Sequence, residues 1–93
     1  MLDARTATWT DVKAAIQRGC VALIAFGAQE QHGPHAPLAT DTIMAAGLAT
    51  RLAERIDGLL LPPIPYGEAW NNSRFPGTVS ISPQTAQALI TDI

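Results

Sequence analysis

The sequence predicts an α/β layer fold, and three observations carry that expectation. Segments with helical periodicity alternate with short apolar segments, as in folds that stack helices on a sheet. Cys20-Val21-Ala22-Leu23-Ile24-Ala25-Phe26 is apolar without alternation, the pattern of a strand covered on both faces in a parallel sheet. A loop from Gly27 to Thr40, with two glycines and two prolines among its residues, follows that strand. In open α/β sheets this carboxyl edge is where ligands collect.

The first helix is expected from Trp9 to Arg18. Thr8 suits the N-cap, and Asp11 stands three residues on, where a capping-box side chain belongs, although Glu or Gln is the usual choice. Trp9, Val12, Ala15 and Ile16 share one face, and Gly19 suits a left-handed C-terminal position. The strand Cys20–Phe26 comes next, bounded by Gly19 and Gly27. A second helix begins near Asp41 with Thr40 as N-cap. Met44, Leu48 and Leu52 form its apolar stripe, with Ala45, Ala49 and Ile56 beside it, and Gly58 ends it. Leu59-Leu60-Leu61 reads as a short buried strand stopped by Pro62-Pro63. Residues 62–80 are mostly loop, and Val79 and Ile81 suit a short extended stretch.

Ser82-Pro83 is a helix start, with Ser at the N-cap and Pro at the first helical position. Ala86, Leu89, Ile90 and Ile93 continue on one face. No Gly, Asn or basic residue closes this helix, and nothing further along the chain offers its stripe a partner. An isolated helix of about 11 residues is marginal in water. The expectation is therefore a fragment of a longer α/β protein, or a chain completed by another.

Composition narrows the function. The chain has 93 residues, 47% apolar and 15% charged, which is globular composition for at most one domain. Six Lys and Arg face eight Asp and Glu, a net charge of −2, so no basic footprint for nucleic acid or an anionic membrane exists. The longest apolar run is too short to span a bilayer. The first residues lack the apolar core of a secretory signal. One cysteine, Cys20, gives no internal disulfide and fits a reducing compartment. The expected location is the cytoplasm. No Ser or Cys nucleophile is paired with a base, and no phosphate-binding or dinucleotide glycine motif is present.

The chemistry sits in Glu30-Gln31-His32-Gly33-Pro34-His35-Ala36-Pro37-Leu38-Ala39-Thr40-Asp41, which holds both histidines of the chain. Glu30 and His32 stand at i and i+2, so an extended backbone points them to one side. Asp41 starts a helix, whose positive end favours a carboxylate. Oxygen and nitrogen donors together suit Zn²⁺, Mn²⁺ or related divalent ions. Two such ions about 3.5–4 Å apart hold a hydroxide between them and polarise a carbonyl, which is hydrolase chemistry. Glu, His and Asp in a short loop also occur as plain solvated surface, so spacing alone leaves both readings open. The three ligands do not complete a cage for two ions.

The stretch Gly27-Ala28-Gln29-Glu30-Gln31-His32-Gly33-Pro34-His35-Ala36-Pro37-Leu38-Ala39-Thr40-Asp41 resembles the signature of the creatininase (creatinine amidohydrolase) family. A second block, Leu61-Pro62-Pro63-Ile64-Pro65-Tyr66-Gly67 followed by Phe75-Pro76-Gly77-Thr78-Val79-Ser80-Ile81, resembles another stretch of that family in the right order and spacing. The resemblance covers nearly the whole chain and implies a three-layer α/β/α sandwich with a mainly parallel sheet. Residues 1–93 would then be the N-terminal part of a single creatininase-like domain. It implies two divalent metal ions, Zn and/or Mn, and hydrolysis of C–N amide bonds, cyclic ones included, by a metal-bridging hydroxide. By the family pattern Glu30 binds one metal, His32 the other, and Asp41 bridges both. Small-molecule and peptide amides are the implied substrates, and homo-oligomers, often hexamers, the implied assembly.

Two departures stand out. The family usually has Ser and His where this chain has Ala69 and Asn72, beside the substrate pocket. The family also draws its remaining ligands from a later Asn-Gly-His block and a further acidic residue, both absent from these residues. His35, Trp70 and Asn72 are the candidate substrate contacts, with His35 also open to a place behind the ligands or a structural role. Gln31 points away from Glu30 and His32 in an extended segment and is given no chemistry. Gly27 reads as a strand-end turn or a close approach to substrate. Two other functions compete with the hydrolase: a non-catalytic remnant or assembly module using the last helix, and a single-metal module of Glu30, His32 and Asp41.

Overall fold

The computed structural model describes residues 1–93, and the α/β architecture with a parallel sheet is borne out. The elements run β1 (Leu2–Asp3), α1 (Trp9–Gln17), β2 (Ala22–Leu23), α2 (Thr40–Ile56), β3 (Leu59–Leu60), a 3₁₀ turn (Trp70–Asn72) and α3 (Pro83–Asp92). The sheet has the order β1-β3-β2, and both pairings are parallel. Leu2 lies opposite Leu59 on one side, and Ala22 lies opposite it on the other. β1 is an addition to the sequence reading, which began at the first helix.

The β2 line is longer than its regular core. Leu59 N–H donates to Val21 O, Leu61 N–H to Leu23 O, Ile64 N–H to Ala25 O and Gly27 N–H to Ile64 O, each at 2.9 Å. The strand expected over Cys20–Phe26 therefore has real hydrogen bonds for most of its length. The ladder steps two residues from Leu23 to Ala25 but three from Leu61 to Ile64. Pro62 and Pro63 have no N–H to give, so the chain bulges past them and resumes at Ile64.

The helix ends show which local signals prevailed. At α1, Thr8 N–H donates to Asp11 Oδ2 (2.8 Å) while Asp11 N–H donates to Thr8 Oγ1 (3.3 Å), a full capping box built with Asp. Gly19 follows at φ +77°, as expected. At α2 two expectations are corrected. Ala39, not Thr40, holds the N-cap, and Thr40 lies inside the first turn with its hydroxyl turned back to the Pro37 carbonyl. The helix ends on Asp57, which is left-handed at φ 51°, one residue before Gly58. Ser82 caps α3 by accepting from Thr85 N–H at 3.1 Å.

The core is built of small side chains. Buried residues are Ala15, Ala25, Ala28, Ala53, Leu59, Leu60 and Ala69, together with Gly58. α2 packs on β3, with Ala53 fully buried, while the Met44, Leu48 and Leu52 stripe stays exposed. Trp9 and Ile16 of α1 are exposed as well, and only Ala15 of its apolar face is buried. The last helix departs from expectation in the other direction. Ala86 and Leu89 are half-buried and line a cleft with Phe26, Tyr66 and Gly67, so part of its stripe does find a partner. The radius of gyration is 15.3 Å, in a body of 46 × 29 × 18 Å, against about 12 Å for a compact chain of this length. The molecule is a slab with apolar side chains on its faces.

Candidate metal centre

The loop after β2 is drawn into place by main-chain bonds. Glu30 N–H donates to Leu38 O (3.0 Å), Val79 N–H to Gln29 O (2.8 Å), and Gln31 N–H to Thr78 Oγ1 (3.1 Å). Residues 29–31 are thus held extended between residue 38 and the 78–79 stretch, which sets Glu30 and His32 on one side. Gly33 then turns the chain at φ +68°, where a Cβ would lie 2.8 Å from the His35 ring.

Asp41 arrives from the first turn of α2, and Gly27 lets it come so close. A Cβ on Gly27 would stand 2.2 Å from Thr42 Oγ1 and 2.5 Å from Thr42 Cα. Thr42 Oγ1 in turn donates to Ala28 O at 3.1 Å. The glycine permits direct docking of a helix start on a strand end. That is a different role from the turn or substrate approach expected of it.

One donor atom each from Glu30, His32 and Asp41 lie within 4.8 Å of one another, and all three residues are half-buried. His32 Nδ1 is 3.0 Å from the Glu30 carbonyl oxygen. A carbonyl can only accept, so Nδ1 carries a proton, and in the neutral ring Nε2 offers its lone pair. Nε2 faces Asp41 Oδ1 at 3.3 Å. Two lone pairs at that distance call for a proton or a cation between them. The Glu30 carbonyl first, and the Asp41 carboxylate after it, push the His32 pKa above the ordinary 6.5, against the opposing effect of partial desolvation. The spacing also suits a metal, since neighbouring donors on an ion with bonds of about 2.0–2.1 Å stand roughly 3.3 Å apart. The donor set of one imidazole and two carboxylates, with the imidazole tautomer already set from behind, fits a divalent cation.

The other expected residues divide. Asn72, half-buried, donates from Nδ2 to Glu30 Oε2 at 2.8 Å and so belongs to the cluster. His35 is exposed beside Gly33 and lies outside the donor group. Trp70 is 72% exposed and lines an open groove of about 500 Å³ with Glu68, Ser80, Ile81, Ser82 and Pro83, none of them in the donor group. Gln31, given no chemistry from sequence, donates from Nε2 to Asn72 Oδ1 at 2.8 Å. The alternation rule set Gln31 apart from Glu30, yet both side chains meet the same partner, Asn72.

The family model described as creatinine amidohydrolase matches residues 5–93. The mycofactocin precursor peptide peptidase of Mycolicibacterium smegmatis is 40% identical over 76 residues, covering 75% of this chain and 31% of that protein. The creatinine amidohydrolase of Pseudomonas putida is 34% identical over 92 residues, 92% of this chain and 35% of that protein. The chain thus spans about a third of the length of the curated relatives it matches. Among solved structures, a Mn form of creatininase superposes with a TM-score of 0.91 at 31% identity, over 98% of this chain and 38% of that one. A Zn-Zn form of a creatininase mutant gives a TM-score of 0.90 at 31% identity, over 97% and 37%.

Proposed function

The chain belongs to the creatininase family, and from that premise we propose that it forms the N-terminal part of a metal-dependent amidohydrolase domain. Glu30, His32 and Asp41 are its metal ligands, with Asp41 shared between two divalent ions, Zn or Mn. The observation that carries this reading is the 3.3 Å approach of His32 Nε2 to Asp41 Oδ1, with Nδ1 already committed to a carbonyl. Further donors come from outside these three side chains, because three groups under-fill two coordination spheres.

When bound, such ions act as Lewis acids toward the amide carbonyl and generate a nucleophile from water at neutral pH. The protein's own part is orientation. The Glu30 carbonyl keeps the His32 ring in one tautomer, α2 brings Asp41 in from its N-terminal end, and Asn72 holds the Glu30 carboxylate. The substrate is an amide with a C–N bond to cleave, a small molecule or a peptide, as the names of the two curated relatives suggest. Ala69 and Asn72 set this pocket apart from the usual family pattern. Trp70 is exposed and open to contact with such a substrate, and His35 is the second candidate contact.

The test is metal content by mass spectrometry in the full-length protein, alongside hydrolysis of a panel of cyclic and peptide amides. The expected outcome is about two divalent ions per chain, both lost in Asp41→Asn together with activity. Unchanged stoichiometry in that variant rejects the bridging role of Asp41. A second reading, an assembly module without catalysis, draws on Ile90 and Ile93 of the last helix, each 58% exposed. It expects self-association with no stoichiometric metal.

A further inference from the structure

A one-way chain of hydrogen bonds runs behind the Glu30 carboxylate. Gly33 N–H donates to Gln31 Oε1 at 2.9 Å, Gln31 Nε2 donates to Asn72 Oδ1 at 2.8 Å, and Asn72 Nδ2 donates to Glu30 Oε2 at 2.8 Å. Side-chain amides are ordinarily ambiguous in which end is oxygen and which is nitrogen. Here they are not. A backbone N–H can only donate, so Gln31 must turn its oxygen to Gly33 and its NH₂ to Asn72. That NH₂ can only donate, so Asn72 must offer its oxygen and aim its own NH₂ at Glu30. Reversing either amide would set an acceptor against an acceptor or a donor against a donor. Gln31 is also anchored through its own N–H to Thr78 Oγ1 at 3.1 Å, and both amide residues are half-buried.

We propose that Gln31 and Asn72 are positioning residues that clamp one oxygen of Glu30 and leave the other for the cation. The proposal rests on the reading of Glu30 as a metal ligand. The physical reason is orientation. A free glutamate rotates about three bonds, and a donor fixed on one carboxylate oxygen selects the rotamer that meets the ion. Partners of this kind typically change metal affinity by about 10–100-fold when removed. The clamp is made of neutral amides, so it adds no charge beside the ions.

The test has two readouts in the full-length protein. One is NMR of the Asn72 and Gln31 side-chain amides with no ion added. The other is affinity for Co²⁺, followed by its absorption. One Asn72 NH₂ proton is expected shifted and slow to exchange in the wild type, returning to free-amide behaviour in Glu30→Ala. Asn72→Leu, which keeps the shape but removes the donor, is expected to weaken Co²⁺ binding by about 10–100-fold. Asn72→His is expected to recover most of it, because an imidazole accepts at one nitrogen and donates at the other. A role in packing alone would leave Co²⁺ affinity in Asn72→Leu at the wild-type value. Wild-type Asn72 protons that exchange freely overturn the clamp. So does an Asn72→Leu protein that binds Co²⁺ as tightly as the wild type. A wild type that binds no Co²⁺ overturns the metal reading and the clamp's purpose together, so the two failures are distinguishable.

Discussion

At the scale of single residues, Gly27 decides whether the ligands meet. A methyl group there would overlap Thr42, whose Cα is backbone and cannot swing aside. Gly27→Ala is expected to cost about 1–3 kcal/mol, the usual range for overpacking. It should also push the first turn of α2, and Asp41 with it, away from His32. A urea midpoint and a Co²⁺ titration read the two effects, and an unchanged Co²⁺ affinity would show that Asp41 does not depend on this docking. Glu30, His32 and Asp41 could be singled out in the sequence as a cluster of donor types, but their spacing left metal site and solvated surface both open, and it was the family resemblance that gave each a role. Gln31 could not be singled out, because its partner lies 41 residues away, and nothing local announces that Asn72 returns to it.

At the scale of elements, three ends are tied down by carboxylates. Asp11 closes the capping box of α1 with Thr8, which holds its pKa below 3.8. Asp57 at the end of α2 accepts from the amino group of Met1 at 2.8 Å and is lowered likewise. Asp3, the last residue of β1, is lowered to about 2 by the Arg5 side chain and backbone N–H. A carboxyl depressed by folding stabilises the fold above its unfolded pKa, and that contribution is lost as pH falls through its folded value. Through these three carboxyls, helical circular dichroism and the urea midpoint should therefore decline as pH falls from about 5 to about 2. Asp11→Asn should flatten part of that slope, and an identical slope would show that the box contributes nothing. The starts of α1 and α3 could be read from sequence because Thr8 and Ser82 act within three residues of themselves. The end of α2 could not. Asp57 takes the left-handed turn in place of Gly58, while Gly58 serves a close fit, where a Cβ would meet the Leu23 side chain at 2.6 Å.

At the scale of the whole molecule, apolar surface dominates. Val21–Phe26 and the Ala45, Leu48, Ala49, Leu52 and Ile56 side of α2 form one wholly hydrophobic open groove. Exposed apolar areas of this kind mark surfaces that associate. The 93-residue chain by itself is expected to bind a hydrophobic dye and to self-associate in sedimentation. Leu48→Glu with Ile90→Glu should shift it toward monomer, and a monomeric wild type would contradict this. Periodicity identified these side chains as apolar faces, yet it does not say what covers them. The one α2 side chain that is buried is Ala53, whose signal in a sequence is weak. The order of the sheet, β1-β3-β2, carries one more consequence, for synthesis. β1 and β2 do not touch, and each bonds only to the strand made last. A growing chain therefore has no sheet until Leu59 and Leu60 emerge, and at about 5–20 residues per second the first strand waits roughly 3–12 s for its partner. Until then only the local turns of α1 and α2 can begin to form, each marginal without a sheet to pack on, and the donor loop after β2 stays unassembled while its scaffold is still being made.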